Sequence, residues 1–160
     1  MWTRKDIPDQ SGRTAIVTGS NAGVGFETAL ALYEFGARVI LACRNLKSAE
    51  EAVAKMKQHN GPGTLEAAWL DLSSLQSVRQ FADKFVKENK RLDVLINNAG
   101  VMIPPESKTS EGYELQFGVN FLGHFALSGY LYPLLNRTPG SRIVTVSSLA
   151  YPRGVIDFEN

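Results

Sequence analysis

Short apolar runs rich in β-branched residues alternate with longer, helix-like stretches along the chain. The strand-like runs are, in order, Thr14 to Thr18, Ala37 to Ala42, Leu65 to Leu70, Leu92 to Ile96 and Arg142 to Val146. Because a segment of helical length separates each run from the next, we expect right-handed crossovers between parallel strands. The alternation predicts an α/β fold: a Rossmann-like doubly wound parallel sheet of five strands in the order 3-2-1-4-5, with ligands bound beyond their carboxyl ends.

The composition is that of one globular domain and excludes several classes of protein. Of the 160 residues, 44% are apolar and 21% are charged, which rules out a disordered tail and a collagen-like repeat. Seventeen Lys and Arg against sixteen Asp and Glu leave a formal charge of +1, so we expect no nucleic-acid partner. The single cysteine, Cys43, and the polar segment from Met1 to Gly12 indicate a reducing, cytoplasmic location.

Capping residues predict where the helices begin. Asn45 can cap the second helix, and Ser73 with Gln76 resembles a capping box ahead of the third. A further helical stretch is expected from about Glu111 to Leu135.

That last helix is apolar over most of its circumference. Its segment from Leu115 to Asn136 carries no charged residue over 22 positions, but Asn120 and three glycines make it too polar and interrupted to span a membrane. We therefore expect burial on two sides, against the sheet and against a partner helix or subunit, and hence a homo-oligomer formed through the helix 111–135. One stripe holds Phe117, Phe121, Phe125 and Tyr132, and another holds Val119, Leu122 and Ala126.

A glycine-rich turn joins the first strand to the first helix. Its sequence, T-G-S-N-A-G-V-G from Thr18 to Gly25, would let the backbone approach a pyrophosphate and aim the N–H groups of the helix at it. An ordinary glycine-bearing turn is the alternative. The candidate binding residues are Gly19, Asn21, Ala22, Gly23, Val24 and Gly25.

Arg44 stands at the end of the second strand, where NAD-binding domains offer a carboxylate to the ribose 2′-hydroxyl. No carboxylate is present there, and a guanidinium suits a 2′-phosphate. The position favours NADP(H) over NAD(H), with a solvated surface arginine as the alternative.

Two further strand ends offer groups to the same ligand. Asp71 could accept a hydrogen bond from an adenine amine, with the backbone of Leu72 close to the ring; its other possible role is to interact with the dipole of the next helix. In the motif N-N-A-G after the fourth strand, Asn98 can bond neighbouring backbone, and Gly100 leaves room for the ribose and nicotinamide; Ala99, between them, is a further candidate binding residue.

Together with Asn120 and the V-S-S motif that ends at Ser148, these motifs resemble the short-chain dehydrogenase/reductase family, in order and spacing from about Gly12 to Ser148. The segments L-A-C-R-N, N-N-A-G-V-M, V-N-F-L-G-H-F and R-I-V-T-V-S-S-L-A narrow the resemblance to the retinol-dehydrogenase-like branch, which includes relatives of the WW-domain oxidoreductase. The resemblance implies hydride transfer between a nicotinamide and a lipophilic alcohol, aldehyde or ketone. In it, Ser148 would polarise the reacting oxygen and Asn120 would hold a water in a proton relay.

The family's Tyr-x-x-x-Lys motif is absent from this chain. Tyr151 lies only three residues after Ser148, and Val155 occupies the position of the lysine, so we do not assign the catalytic base to Tyr151. Residues 1–160 are expected to form a single dinucleotide-binding domain without its C-terminal strands, and to be poorly soluble or marginally stable alone. The alternative is a non-catalytic NADP(H)-binding sensor or interaction module. His124 is interpreted as a hydrogen-bonded core residue, and no metal site is expected.

Overall fold

The structure, a computed structural model, describes residues 3–149 and residue 154, and it contains a five-stranded parallel sheet. The order β3-β2-β1-β4-β5 confirms the predicted order and fold class. The ends of the strands differ from the predicted ends by at most two residues. The strands are β1 (Thr14–Thr18), β2 (Arg38–Cys43), β3 (Thr64–Trp69), β4 (Val94–Asn97) and β5 (Arg142–Thr145).

Helices cover both faces of the sheet, and the side chains of the central strands alternate between them. Ile16 of β1 belongs to the apolar cluster on one face, and its neighbour Val17 belongs to the cluster on the other. The helices are α1 (Gly23–Glu34), α2 (Leu46–Lys57), α3 (Leu75–Glu88), α4 (Leu115–Phe117) and α5 (His124–Asn136), preceded by a 3-10 turn at Arg4–Asp6. Residues of α1 and α2 pack with Val17, and residues of α3 and α5 pack with Ile16.

A π-helical turn, Gly118–Gly123, joins α4 to α5 without a break. The predicted start of this helix near Glu111 was four residues too early. The helix begins at Leu115 because the Glu114 carboxylate caps it, accepting the N–H groups of Gln116 at 2.7 Å and Phe117 at 2.6 Å.

The capping prediction was right for α2 and wrong for α3. Asn45 caps α2 and accepts the N–H of Ser48 at 3.0 Å. At α3 the cap is Ser74, which accepts the N–H of Ser77, and not Ser73. The Ser73 hydroxyl is directed elsewhere, because it donates to the Asp71 carboxylate at 2.7 Å.

Within this chain the last helix is buried on one side only. Leu127, Leu131 and Leu134 of α5 are fully buried against the sheet and α3. On the other side, Phe117, Phe121 and Phe125 stack along the helix at centroid distances of 5.3 and 6.1 Å and are 52%, 55% and 70% exposed; we call these three rings the aromatic face. All four residues of β5 are exposed too. No helix in the described part of the chain is long and apolar enough to cross a bilayer.

Candidate functional site

A cavity of about 510 Å³ lies at the carboxyl ends of the strands, as the fold predicts. All of the predicted binding residues except Gly23 line it, so one site collects the glycine turn, the end of β2, the end of β3 and the N-N-A-G segment. Its lining is Gly19, Asn21, Ala22, Val24, Gly25, Ala42, Cys43, Arg44, Asn45, Leu70, Asp71, Leu72, Asn98, Ala99, Gly100, Val101, Val119 and Val146.

The glycine turn is closely packed against the N-N-A-G segment. Gly19 has φ +63°, and a Cβ there would lie 2.8 Å from Ala99. A Cβ on Gly25 would meet the Asn98 amide nitrogen and lie 2.7 Å from the Gly19 carbonyl oxygen. Neither position has room for a side chain, so both glycines are required by the turn itself.

The N-terminus of α1 points at the cavity without a side-chain cap. Ala22 occupies the capping position and accepts no hydrogen bond through its side chain, and the first turn of α1 holds no acidic residue. By contrast, Asn45 and Ser74 cap α2 and α3. The first N–H groups of a helix have no partner within it, so the open end of α1 offers hydrogen bonds and a positive dipole end to an anion.

Arg44 lies at the rim of this cavity, directly after the last residue of β2. Its side chain is exposed, and no ion pair or hydrogen bond engages its guanidinium among the described residues. The group is therefore available to a bound anion. Next to it, burial raises the pKa of the Cys43 thiol, which keeps this thiol neutral, as expected for a small buried residue.

Asp71 has one carboxylate oxygen engaged by the following turn. Its Oδ1 accepts the N–H and the hydroxyl of Ser73, at 2.9 and 2.7 Å. The backbone N–H of Asp71 donates to the Ser77 hydroxyl at 2.9 Å, which fixes the residue at the start of α3. Asp71 lines the cavity together with Leu72.

Thr18, which the sequence places at the end of the first strand and at the start of the glycine-rich turn but not among the candidate binding residues, organises the back of the site. Its fully buried hydroxyl accepts the N–H groups of Asn98 and Ala99, each at 2.9 Å, and the Asn98 side chain donates to the Thr18 carbonyl at 2.8 Å. The residue thus joins the glycine turn to the N-N-A-G segment. A polar residue directly after the apolar run 15–17 was the sequence signal for this role.

Asn120 lies in the π-helical turn and holds the loop after β4. Its Oδ1 accepts the N–H of Val101 at 2.8 Å and its Nδ2 donates to the Val101 carbonyl at 2.9 Å. A Cβ on Gly100 would lie 3.3 Å from the same Oδ1. The side chain therefore fixes the backbone that borders the cavity, although it does not itself line it.

Ser148 lies three residues beyond the end of β5 and is exposed. It does not line the cavity, although Val146, two residues earlier, does. Tyr151, to which we did not assign the catalytic base, lies outside the described residues. No cluster of His, Cys, Asp or Glu suited to a metal occurs in the part of the chain that is described.

A glycine turn packed under an uncapped helix, at the carboxyl edge of a parallel sheet of order 3-2-1-4-5, defines a nucleotide-binding domain of the Rossmann type. The family model for short chain dehydrogenase matches residues 13–159. The chain belongs to the short-chain dehydrogenase family of oxidoreductases, whose members bind NAD or NADP.

Individual relatives agree with this assignment. Retinol dehydrogenase 13 of Mus musculus is 48% identical over 149 residues, which are 93% of this chain and 45% of the relative. An uncharacterised protein from Mycobacterium paratuberculosis matches with a TM-score of 0.85 and 43% identity, over 99% of this chain and 54% of that one. A metagenomic short-chain oxidoreductase in complex with NADP matches with a TM-score of 0.80 and 28% identity, over 92% and 67% of the two chains. The chain thus spans about half the length of the curated relatives it matches.

Proposed function

We propose that the cavity binds NADP(H) in preference to NAD(H), and that the whole protein transfers a hydride between the nicotinamide and a lipophilic alcohol, aldehyde or ketone. The observation that carries the proposal is the pairing, in one cavity, of the uncapped N-terminus of α1 with the unpaired guanidinium of Arg44. The first suits a pyrophosphate and the second suits a 2′-phosphate.

The residues of the cavity fit such a cofactor. The glycine turn packs directly on Asn98 and Ala99 because Gly19 and Gly25 carry no side chain, and both glycines line the cavity. Asp71 would accept from the adenine amine, while Ala99 and Gly100 border the space for the ribose and nicotinamide. When bound, the cofactor supplies or accepts the hydride, and the protein supplies position and polarity.

Ser148 and Asn120 are the residues to which we assign roles in the reaction. Ser148 would donate a hydrogen bond to the reacting oxygen and polarise it. Asn120 would hold a water for proton transfer while its side-chain amide keeps Val101 and the cavity wall in place. Activity also needs a proton donor, which the described residues do not identify; a binding module without catalysis is the alternative function.

Exposed apolar side chains near the site support a lipophilic substrate. Met102 and Ile103, in the loop that follows Gly100, are 84% and 85% exposed, and Leu149, next to Ser148, is 99% exposed. Because relatives of this chain are retinol dehydrogenases, retinal is a suitable first substrate. We expect NADPH-dependent reduction of retinal and long aliphatic aldehydes by the full-length protein, and much slower reduction of a short polar aldehyde. Binding of NADPH without turnover of any of them would favour the non-catalytic module.

Titration with NADPH and NADH tests the cofactor assignment directly. We expect Arg44→Ala to weaken NADPH binding about tenfold, as for loss of one charge-assisted pair, and to leave NADH binding nearly unchanged. Lys47→Ala is the matched control, because Lys47 is an exposed cation in the first turn of α2 outside the cavity. Equal affinity of the unmodified protein for both cofactors would reject the role of Arg44.

The aromatic face supports a homo-oligomer. Three stacked, half-exposed rings form a continuous apolar surface of the kind that marks protein interfaces. Sedimentation velocity on the full-length protein tests this: Phe121→Lys should shift the protein towards monomer, and Asn136→Lys, an exposed position at the end of α5, should not. A monomeric unmodified protein would refute the proposal.

A further inference from the structure

His124 is a buried titratable side chain to which the proposed function gives no role. It is the first residue of α5, follows the π-helical turn directly and is 4% exposed. Its two ring nitrogens reach different parts of the site. Nε2 lies 2.9 Å from the Thr18 hydroxyl, and Nδ1 lies 3.1 Å from the Asn120 carbonyl oxygen.

The hydrogen bonds at Thr18 determine which nitrogen of His124 carries the proton. A hydroxyl has two lone pairs and one hydrogen, and the N–H groups of Asn98 and Ala99 take both lone pairs. The hydrogen is left to donate, and His124 Nε2 at 2.9 Å is closer than the Ile96 carbonyl at 3.4 Å. Nε2 is therefore the acceptor, so Nδ1 carries the proton and donates to the Asn120 carbonyl.

We propose that His124, as a neutral imidazole protonated on Nδ1, is a positioning residue that holds the glycine turn and the π-helical turn in one arrangement and thereby sets the affinity for NADP(H). The inference rests on the proposed NADP(H) binding. Each end of this chain of hydrogen bonds reaches the cavity. Thr18 precedes Gly19 and binds the backbone of Asn98 and Ala99, while Asn120 binds the backbone of Val101.

The surroundings of His124 favour the neutral form that this role requires. Burial lowers the pKa of the imidazole below its ordinary value of 6.5, although the hydrogen bond to the Asn120 carbonyl acts in the opposite direction. A protonated ring could not accept from Thr18, so its hydroxyl would lose its short partner. The polar contacts of the ring, to Thr18 and Asn120, both join it to residues that hold the cavity wall.

Nitrogen NMR on the cofactor-free protein with labelled histidine tests the state of the ring. We expect His124 to show the Nδ1–H, Nε2-unprotonated tautomer and to stay neutral at pH 6.5 and somewhat below. The half-exposed His59 gives a second set of ring-nitrogen signals in the same sample, against which those of His124 are compared. An Nε2–H tautomer, or a charged ring at pH 6.5, would overturn the proposal.

Three substitutions of His124 distinguish the contribution of the Nε2 hydrogen bond to NADPH affinity from that of the Nδ1 hydrogen bond. His124→Leu removes both hydrogen bonds and should weaken NADPH binding about tenfold. His124→Gln can place a carbonyl oxygen near the position of Nε2 and should recover most of that loss. His124→Asn can place an amide N–H near Nδ1 and should recover less. A merely structural role would make affinity follow the melting temperature of the variants and would show no such order.

Coupling to Thr18 gives a second measurement. If the two residues act together, Thr18→Val should weaken NADPH binding in the unmodified protein and add little in His124→Leu. Ser128→Ala is the matched control: Ser128 lies one turn further along α5 and accepts a hydrogen bond from Asn97 at 3.0 Å, at the end of the neighbouring strand. We expect its NADPH affinity to stay within about twofold of the unmodified protein.

The outcomes distinguish this inference from the proposed function. If the unmodified protein binds no NADPH, the proposed function fails, and the NMR tautomer still decides the state of His124. If it binds NADPH and the His124 variants bind equally well, or if Ser128→Ala weakens binding as much as His124→Leu, the positioning role is refuted.

Discussion

The two ends of the sheet differ in whether a charged side chain or a helix end has a partner within the chain. At the amino end, the buried Asp93 carboxylate accepts the Thr14 N–H at 2.9 Å and two hydrogen bonds from Arg91. At the carboxyl end, α1 has no cap and Arg44 has no partner in the described part of the chain. Groups paired within the fold stabilise it, whereas unpaired groups are available to a ligand.

This comparison predicts that changes at the carboxyl end alter cofactor affinity and changes at the amino end alter stability. The distinction is physical. A hydrogen bond formed within the chain contributes to the free energy of unfolding. A polar group without a partner in the chain contributes instead to the free energy of ligand binding, when the ligand supplies that partner. The same sheet can therefore be tested at both ends, with affinity and stability as the two measurements.

The largest effect is expected for Gly25→Val, because its Cβ would lie 2.7 Å from the Gly19 carbonyl and would meet the Asn98 side chain. The turn would have to move away from the N-N-A-G segment, and we expect NADPH affinity to fall about a hundredfold or more as several phosphate contacts are lost. Titration calorimetry measures this change. Gly129→Ala is the control, since nothing lies within 4 Å of a Cβ there. If Gly25→Val bound NADPH normally, the glycine turn would not be the phosphate site.

Much of this carboxyl end could be predicted from the sequence because it depends on local chain geometry. The strand patterns, the crossover rule and the glycine spacing placed eleven of the twelve candidate binding residues around one cavity, Gly23 being the exception. Asn45 was also predictable, because a cap needs only the residues next to it.

Other features depend on contacts between distant residues, which no local pattern encodes. The π-helical turn begins at Gly118, where a side chain would meet Thr109, and ends at Gly123, where a Cβ would lie 2.5 Å from the Leu72 carbonyl. Ser74 rather than Ser73 caps α3 because Asp71 takes the Ser73 hydroxyl. Thr18 and His124 meet across 106 positions of sequence. For these features, the hydrophobic periodicity of the sequence predicts the helix or strand but not the distant residue with which it makes contact.

The amino end gives the next largest effect, in stability. Asp93→Asn keeps the size of the side chain but removes its charge, and it places an amide opposite the donors of Arg91 and Thr14. We expect the free energy of unfolding to fall by about 2 kcal/mol, as for a buried charged hydrogen-bond acceptor that loses its partners. NADPH affinity should change less than twofold, since the site lies at the other end of the strands. Urea unfolding and NADPH titration of the same variant measure both quantities, and a parallel loss of affinity would contradict the separate roles of the two ends.

The same carboxylate makes stability depend on pH. Burial alone raises the pKa of Asp93, but the hydrogen bonds from Arg91 and from the Thr14 N–H, together with the nearby charges, hold that pKa below its ordinary value of 3.8. The folded protein therefore releases this proton more readily than the unfolded chain, in which an Asp has a pKa of about 3.9. The stabilisation is complete above about pH 5 and is lost as the pH falls through the lower, folded pKa. The difference in the free energy of unfolding between the unmodified protein and Asp93→Asn should shrink as the pH falls from 6 to 3; a constant difference would show that Asp93 does not titrate this way.

The smallest effect is the sharpest test, because it should move stability and affinity in opposite directions. Ala22 has the extended backbone of a capping residue, with φ −157° and ψ 170°, but no side chain to cap α1. Ala22→Asp would supply the cap and should raise the free energy of unfolding by about 1 kcal/mol. It would also place a negative charge where we expect the pyrophosphate, so NADPH should bind more weakly.

Ala22→Ser separates the two causes, because serine supplies the cap without the charge. We expect it to stabilise α1 by a similar amount and to weaken NADPH less than Ala22→Asp does, and added salt should narrow that difference. The measurements are urea unfolding and NADPH titration at two salt concentrations. If both variants were stabilised and bound NADPH as tightly as the unmodified protein, the open end of α1 would have no role in anion binding. The contrast between the two ends of the sheet would then rest on Arg44 alone.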